Sequence, residues 1–346
     1  MNKQNKIFIE ACNGRKVPYT PLWIMRQAGR YLPEYRAIRK KYNFHEMMHT
    51  PDLMKEVTLQ PIRRYDFDAA IMFSDILVIP ESMGLNFQLI EKIGPVFKNP
   101  LNSNKKINSI SYGDISYFKH IFDGIKKIRR ELDNKKSLIG FTGAPWTIAC
   151  YMVEGRPSKD YRHIRALIYN NPKAFHYLME HLTESIIEYI RGQVNAGVDA
   201  VQIFDTNAGF LSREVFESFS FPYLKRIILA VNKLNVPSIL FVKGGGNWLD
   251  LLKTSGANVL GLDWTINLND AKKVVKNKIS LQGNLDPSIL LSSNNIIRKE
   301  VCKILKSYGN GYGHIFNLGH GITPDIPIEA VQTVVNTVRE VSPNYK

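Results

Sequence analysis

Cysteine is scarce in this chain of 346 residues, and long apolar runs are absent. Cys12, Cys150 and Cys302 are odd in number, far apart and form no C-x-x-C pair. That excludes a disulfide framework or a dithiol motif and points to a reducing compartment. No stretch approaches the roughly 18 apolar residues that a membrane-spanning helix needs. Met1 to Arg15 shows no apolar core followed by a small-residue cleavage site, so a cytoplasmic protein is expected. No G-x-G-x-x-G follows the first apolar run, which argues against a dinucleotide site there. Gly244-Gly245-Gly246 lacks the phosphate-loop spacing, since its lysine, Lys243, precedes the glycines, and a tight strand-to-helix turn accounts for it. Zinc-finger spacing, RNP motifs and long basic blocks are missing as well. No nucleic-acid partner and no membrane association are therefore expected.

What is present is a globular composition, 44% hydrophobic and 22% charged, with a strong basic excess. Lys plus Arg total 46 against 31 Asp plus Glu, a formal net charge of +15. The lysines are scattered singly or in pairs, as in Lys40-Lys41, Lys105-Lys106, Lys126-Lys127 and Lys272-Lys273. They read as solvated faces rather than as one binding patch. If the excess aids capture of an anionic substrate, kcat/KM falls steeply with added salt. The length allows either two ordinary domains or one large barrel. No internal repeat or low-complexity linker marks a second domain.

Eight short β-branched and apolar runs each stop at polar or glycine-rich residues. The first four are Pro21 to Met25 before Arg26, Ala69 to Phe73 before Ser74-Asp75, Ser137 to Phe141 before Thr142-Gly143, and Ala200 to Phe204 before Asp205-Thr206. The second four are Pro237 to Val242 before Lys243-Gly244, Val259 to Leu262 before Asp263, Ile279 to Leu281 before Gln282-Gly283-Asn284, and His314 to Leu318 before Gly319-His320. Near-continuous apolar runs suit strands buried on both faces of a parallel sheet. Helical segments lie in most of the gaps. The clearest opens at Asn171-Pro172, repeats apolar residues from Phe175 to Val194 at helical spacing, and closes at Gly197. Thr50-Pro51 and Ile326-Pro327 open two more. Eight strands alternating with helices predict a single-domain α/β chain, a (β/α)8 TIM barrel whose functional residues gather at the C-terminal strand ends. A doubly wound open sheet is the alternative, normally with fewer strands. Asn86 to Phe97 alternates like a hairpin and leads into the polar stretch Lys98 to Asp114. Residues 86–114 are thus expected to form a surface insertion.

The polar stops then face one mouth. Arg26-Gln27-Ala28-Gly29-Arg30 places two guanidinium groups four residues apart after the first strand. Each offers a planar fork that matches a carboxylate, and small Ala28 and Gly29 let the backbone approach a ligand. Taken alone, either is an ordinary surface arginine of a basic protein. Asp75 puts a carboxylate inside the mouth, where it needs partners. Substrate N–H donors, developing positive charge, a helix N-terminus or one of the arginines would each serve. After the third strand, Gly143-Ala144-Pro145-Trp146 to Tyr151 offers aromatics for an apolar pocket or for the core, with the Tyr151 hydroxyl as a polar handle. Asp205-Thr206 and Gly319-His320-Gly321 end the fourth and eighth strands. Thr206 is a ligand contact or an N-cap, and His320 is the best placed of the eight histidines.

His45-Glu46-Met47-Met48-His49 satisfies the H-E-x-x-H zinc pattern, which needs both histidines on one helical face and a third ligand elsewhere. Thr50-Pro51 follows at once and reads as a new helix start. The motif is therefore expected to straddle a helix boundary, and no metal site is expected there.

The stretch Pro21-Leu22-Trp23-Ile24-Met25-Arg26-Gln27-Ala28-Gly29-Arg30-Tyr31-Leu32-Pro33-Glu34-Tyr35-Arg36 closely resembles the N-terminal signature of the uroporphyrinogen decarboxylase family. GFTGAPWTIACYMVEG, Gly140 to Gly155, resembles its second signature, and FSDIL, VQIFDTNAG, LDW, LQGNLDP and NLGHGI look like further blocks. The resemblance runs from about residue 20 to 325. It implies a (β/α)8 barrel, usually a homodimer, that removes carbon dioxide from the four acetate side chains of uroporphyrinogen III to give coproporphyrinogen III, without cofactor or metal. Matched motif by motif, it implies substrate contacts from Arg26, Gln27, Ala28, Gly29, Arg30, Asp75, Tyr151, Thr206 and His320. Thr206 stands where some members carry serine. Asp75, Arg26 and Arg30 are the expected catalytic residues. Related barrels that transfer methyl groups hold zinc with an H-x-C pair, and no H-x-C occurs here.

Overall fold

Residues 6–91 and 93–346 are described by a computed structural model of the chain. The apolar runs become strands because side chains buried on both faces leave no polar face to satisfy. In chain order these are β1 (Ala69–Ile71), the hairpin β2 (Phe87–Ile90) and β3 (Gly94–Phe97), β4 (Ser137–Gly143), β5 (Ala200–Asp205), β6 (Ser238–Val242), β7 (Val259–Gly261), β8 (Ser280–Gln282) and β9 (His314–Ile315). Every residue of β1, β4, β6, β7, β8 and β9 is buried. Seven strands pair side by side in the order β1-β4-β5-β6-β7-β8-β9, all in parallel. Helices such as Lys119–Glu131, Pro172–Ala196, Phe221–Lys233, Leu268–Val275 and Asn294–Tyr308 return the chain between them.

The expected first strand, Pro21 to Met25, is reduced to a single parallel bridge between Leu22 and Phe316, beside β9. On its other side the Asp68 carboxylate does the work of a ladder. It accepts from the Leu22 amide at 2.7 Å and the Tyr19 hydroxyl at 3.0 Å, while the Asp68 amide donates to the Leu22 carbonyl. Arg339 stands 3.0 Å from the same carboxylate. The segment so fills the eighth place between β1 and β9 and completes a TIM-type α/β barrel. Inside, Trp23 Nε1 donates to Gln282 Oε1 at 2.8 Å and Gln282 Nε2 to Gln202 Oε1 at 3.1 Å, a polar rung in which each buried group has a partner.

The long helix Pro172–Ala196 starts and stops as expected, with Asn171 Oδ1 accepting from the Ala174 amide and Gly197 at φ +117°. The hairpin also forms, with Phe87 opposite Phe97. Among the described residues no helix is long and apolar enough to cross a membrane.

One expectation is corrected. The H-E-x-x-H motif does not straddle a helix boundary, because His45 to His49 all lie inside the helix Phe44–His49. Asn43 and Glu46 form a reciprocal capping box that starts this helix ahead of His45. The Thr50-Pro51 signal opens the next helix, Pro51–Arg64, only after the motif has ended.

Candidate active site

Parallel strands put all their C-terminal ends on one side of the barrel, and the arginine loop enters there. Arg26 has φ 64°, a conformation that costs an L-residue with a Cβ about 1–2 kcal/mol. Its neighbours hold it in place. The buried Gln27 side chain accepts from the Ile24 amide at 3.1 Å and donates to the β1 carbonyl of Ala69 at 3.2 Å. Asn317 Oδ1 accepts from the Met25 amide, and the Ile322 amide donates to the Met25 carbonyl. Gln27 is thus turned into the protein, where it shapes the loop rather than lining the mouth. Ala28 and Gly29 are half-buried beside it.

Arg26 itself is exposed, and among the described residues neither it nor Arg30 has a carboxylate within ion-pair distance. Their surroundings differ. Burial raises the Asp75 pKa, and the Leu77 amide, donating at 2.8 Å, and the Arg26 guanidinium both pull it back. Tyr151 is raised by burial, with Asp75 adding to the rise and Arg26 opposing it. His320 is lowered to about 4 by burial and by the charges of Arg26 and Lys243. Arg26, Asp75, Tyr151 and His320 therefore share one region, and His320 is a neutral imidazole at pH 7. The charge of Arg30 is instead felt at Tyr35, on the helix Pro33–Arg39. Tyr35 is buried and packs edge-on against Phe73, just before Asp75, and Arg30 is exposed beside it.

Two glycines make the approach of the last loop possible. A Cβ at Gly321 would stand 2.7 Å from Arg26 Cγ and 2.9 Å from its Nε, so the arginine shaft lies directly on this glycine. At Gly319 a Cβ would meet the Trp264 amide at 2.7 Å. The β7 exit and the β9 exit consequently touch. Asp263 is fixed there, accepting from Gly244 at 2.6 Å and from the Thr265 amide.

Aromatic rings lie at and just below the strand ends. Phe141 and Phe204 are 5.9 Å apart, Phe204 and Phe241 6.2 Å, and Phe241 and His320 6.1 Å, each pair edge to face. Tyr151, on the helix Pro145–Glu154, packs edge-on against Tyr161. The mouth has an apolar floor and a polar, cationic wall. Thr206 is half-buried in the turn after β5 and is not the cap of the short helix Ala208–Phe210, whose N-cap position is Asn207.

Some neighbours in sequence turn away. Asp205 is fully buried and accepts from Thr147 at 2.6 Å and Ser220 at 3.4 Å, with burial pushing its pKa up to about 7. Trp146 lies in the core against Phe175 and donates to the Asn207 carbonyl. Conversely, Lys243 and Asp263, read from sequence only as strand stops, both act on His320. Their placement at strand ends was the available signal.

A family model described as "Uroporphyrinogen decarboxylase (URO-D)" matches residues 3–341. A uroporphyrinogen decarboxylase of Legionella pneumophila is 48% identical over 343 residues, spanning 98% of this chain and 97% of that one. One of Pseudomonas putida is 46% identical, spanning 99% and 98%. Among solved structures, a methyltransferase from Methanosarcina mazei superposes with a TM-score of 0.80 at 19% identity, over 96% of this chain and 97% of its own. That last likeness concerns the fold alone.

Proposed function

The chain belongs to the uroporphyrinogen decarboxylase family, and from that premise we propose how its barrel mouth carries out the reaction. The enzyme removes the carboxyl groups of the four acetate side chains of uroporphyrinogen III, leaving the methyl groups of coproporphyrinogen III. The substrate carries eight carboxylates around four pyrrole N–H groups. It needs cations at its edge, one acceptor at its centre and an apolar surface under its rings. Placing Arg26, Asp75, Tyr151 and His320 together above an aromatic floor meets all three needs, and this convergence carries the reading.

Each acetate takes up one proton and releases one carbon dioxide. Protonation of the pyrrole at the ring carbon beside the acetate-bearing one creates an iminium. The electrons of the breaking C–C bond flow into it as carbon dioxide leaves, giving an exocyclic methylene. That methylene gains a proton to become the methyl group, and the ring carbon loses its proton again. An intermediate of positive charge is formed, so an anion held near the pyrrole nitrogens accelerates the step. Asp75 fills that role, accepting the pyrrole hydrogens. Arg26 holds the reacting acetate, and Tyr151, Thr206 and neutral His320 hydrogen-bond the remaining side chains. Arg30 and Lys243 extend the cationic rim. Gln27, Ala28 and Gly29 set the loop that carries both arginines.

Carbon dioxide release with formation of coproporphyrinogen, followed anaerobically under reducing conditions without added metal, tests the activity. Well-folded protein that releases none would overturn the reading. The enzyme works as a cytoplasmic homodimer, a part of the proposal that rests on the family resemblance; a monomeric mass in solution would refute the dimer.

Two further results are expected. Gly321→Ala pushes the Arg26 shaft aside and is expected to lower kcat/KM about tenfold, or about 1.4 kcal/mol, by loosening a positioned guanidinium. Unchanged steady-state kinetics would show that Arg26 does not need this seat. The +15 charge, if it steers the polyanionic substrate, makes kcat/KM fall as salt rises from low to physiological ionic strength. A flat salt profile would confine the charge to solubility.

A further inference from the structure

The H-E-x-x-H helix lies outside the decarboxylation site and has its own organisation. His45 and His49 stand one turn apart on one face of the helix Phe44–His49, with their rings stacked at 3.7 Å and 19° between planes. Facing them is Glu81, from the helix Val78–Ser82 that follows the Asp75 loop. His45 Nε2 lies 3.5 Å from Glu81 Oε1, and one ligand atom from each of the three residues lies within 4.8 Å of the others. Glu81 is only 6% exposed, and its Oε2 is buried with no hydrogen-bond partner among the described residues. A buried, unpartnered carboxylate oxygen is costly unless something positive meets it.

The tautomer of His49 follows from its contacts. Its Nδ1 lies 2.8 Å from the His45 carbonyl, which only accepts, so Nδ1 carries the proton and Nε2 presents a lone pair. His49 Nε2 lies 2.9 Å from the Tyr117 hydroxyl, which also acts on the Glu81 carboxyl. An imidazole oriented by an Nδ1–H bond to a backbone carbonyl is the usual setting of a metal-bound histidine.

We propose that His45, His49 and Glu81 form a binding site for one divalent transition-metal ion of the zinc class, with water as the fourth ligand. Two imidazoles and one carboxylate suit such a cation, and four ligands about 2.0–2.2 Å from it stand roughly 3.4 Å apart. The triad closes to that geometry when the exposed His45 ring rotates and His49 releases Tyr117. The ion joins the motif helix to the helix beyond Asp75 and supplies a positive partner for the buried Glu81 carboxylate. It gives no peptidase, because the motif's own Glu46 is engaged in the capping box, its Oε2 accepting from the Asn43 amide at 2.6 Å.

The test uses untagged full-length protein, stripped with a chelator and titrated with Zn2+ by calorimetry and with Co2+ by visible absorption. One ion per chain is expected, with a tetrahedral Co2+ spectrum and a zinc-dependent rise in melting temperature. His45→Asn and Glu81→Gln are each expected to weaken binding at least 100-fold, whereas His163→Ala, at an exposed histidine elsewhere, leaves it unchanged. His45→Asn changes a surface side chain, so it stays informative even if Glu81→Gln folds poorly. Absence of one-to-one binding, or equal affinity in wild type and His45→Asn, would overturn the site.

Discussion

Asp75→Asn is expected to lower kcat about 100- to 1000-fold while leaving the melting temperature unchanged or higher. The amide has the size of the carboxylate and keeps an oxygen for the Leu77 N–H, now at 2.8 Å. What it loses is the negative charge that, in the proposed mechanism, offsets the cationic pyrrole. The stability sign follows from the raised pKa, for which burial is the largest cause. Between the usual carboxylate pKa, about 3.9, and the raised folded value, the folded chain holds a proton that the unfolded chain has released. Stability therefore falls as pH rises through that window, and the ionised carboxylate is a net cost to the fold. Asparagine removes that cost. A slow enzyme that melts no earlier than wild type is the signature of a group kept for chemistry. Near-normal kcat would remove Asp75 from the mechanism, and a fall in kcat tracking a fall in melting temperature would assign it to the fold instead. The acid limb of the wild-type pH–kcat/KM profile is expected above the ordinary carboxylate range for the same reason, since the reactive form is the anion.

Most of the barrel was readable because a parallel strand buried on both faces has a distinctive form in sequence, a short apolar run ending at a polar residue. The exception shows why the rule has limits. Pro21 to Met25 has the right composition but only one ladder partner, β9, because the Asp68 carboxylate takes the amide of Leu22 where a β1 carbonyl would stand. A side chain replacing a backbone acceptor leaves no trace in local hydrophobicity. The arginine loop and Asp75 were visible as polar residues immediately after strands. Which of them look inward was not. Gln27 and Arg26 are adjacent, yet the glutamine is fully buried under the loop and the arginine is exposed. Asp205 and Thr206 differ in the same way. These orientations depend on contacts with Ala69, Thr147 and Ser220, which are distant in sequence. The seat of Arg26 beside His320 depends on the missing Cβ of Gly321, a close approach that local hydrophobicity does not reveal. The H-E-x-x-H motif failed differently. Two start signals stand close together there, the Asn43–Glu46 capping box and Thr50-Pro51, and each opens its own helix.

Arg26→Lys is expected to lower kcat/KM about 10- to 100-fold, with kcat itself reduced, whereas Arg30→Lys raises KM and leaves kcat close to wild type. Lysine keeps the charge and most of the aliphatic shaft that rests on Gly321, and it shares arginine's backbone preferences at φ 64°. No ion pair among the described residues is broken by either change. The substitution therefore isolates the planar fork. Replacing two parallel charge-assisted hydrogen bonds by one point contact removes about 1.5–3 kcal/mol, which is the tenfold to hundredfold range. Where that energy appears depends on when the contact is made. Arg26 stands in the region of Asp75 and Tyr151, and in the proposed mechanism it meets the acetate whose carboxyl is leaving, so that its grip on that geometry is needed in the transition state. The charge of Arg30 is felt at Tyr35 rather than at Asp75, and in the proposed mechanism it meets a carboxylate equally before and during reaction. Uniform binding of that kind changes KM alone. Equal kinetic effects of the two lysine variants would refute this division of labour, and loss of kcat confined to Arg30→Lys would reverse it.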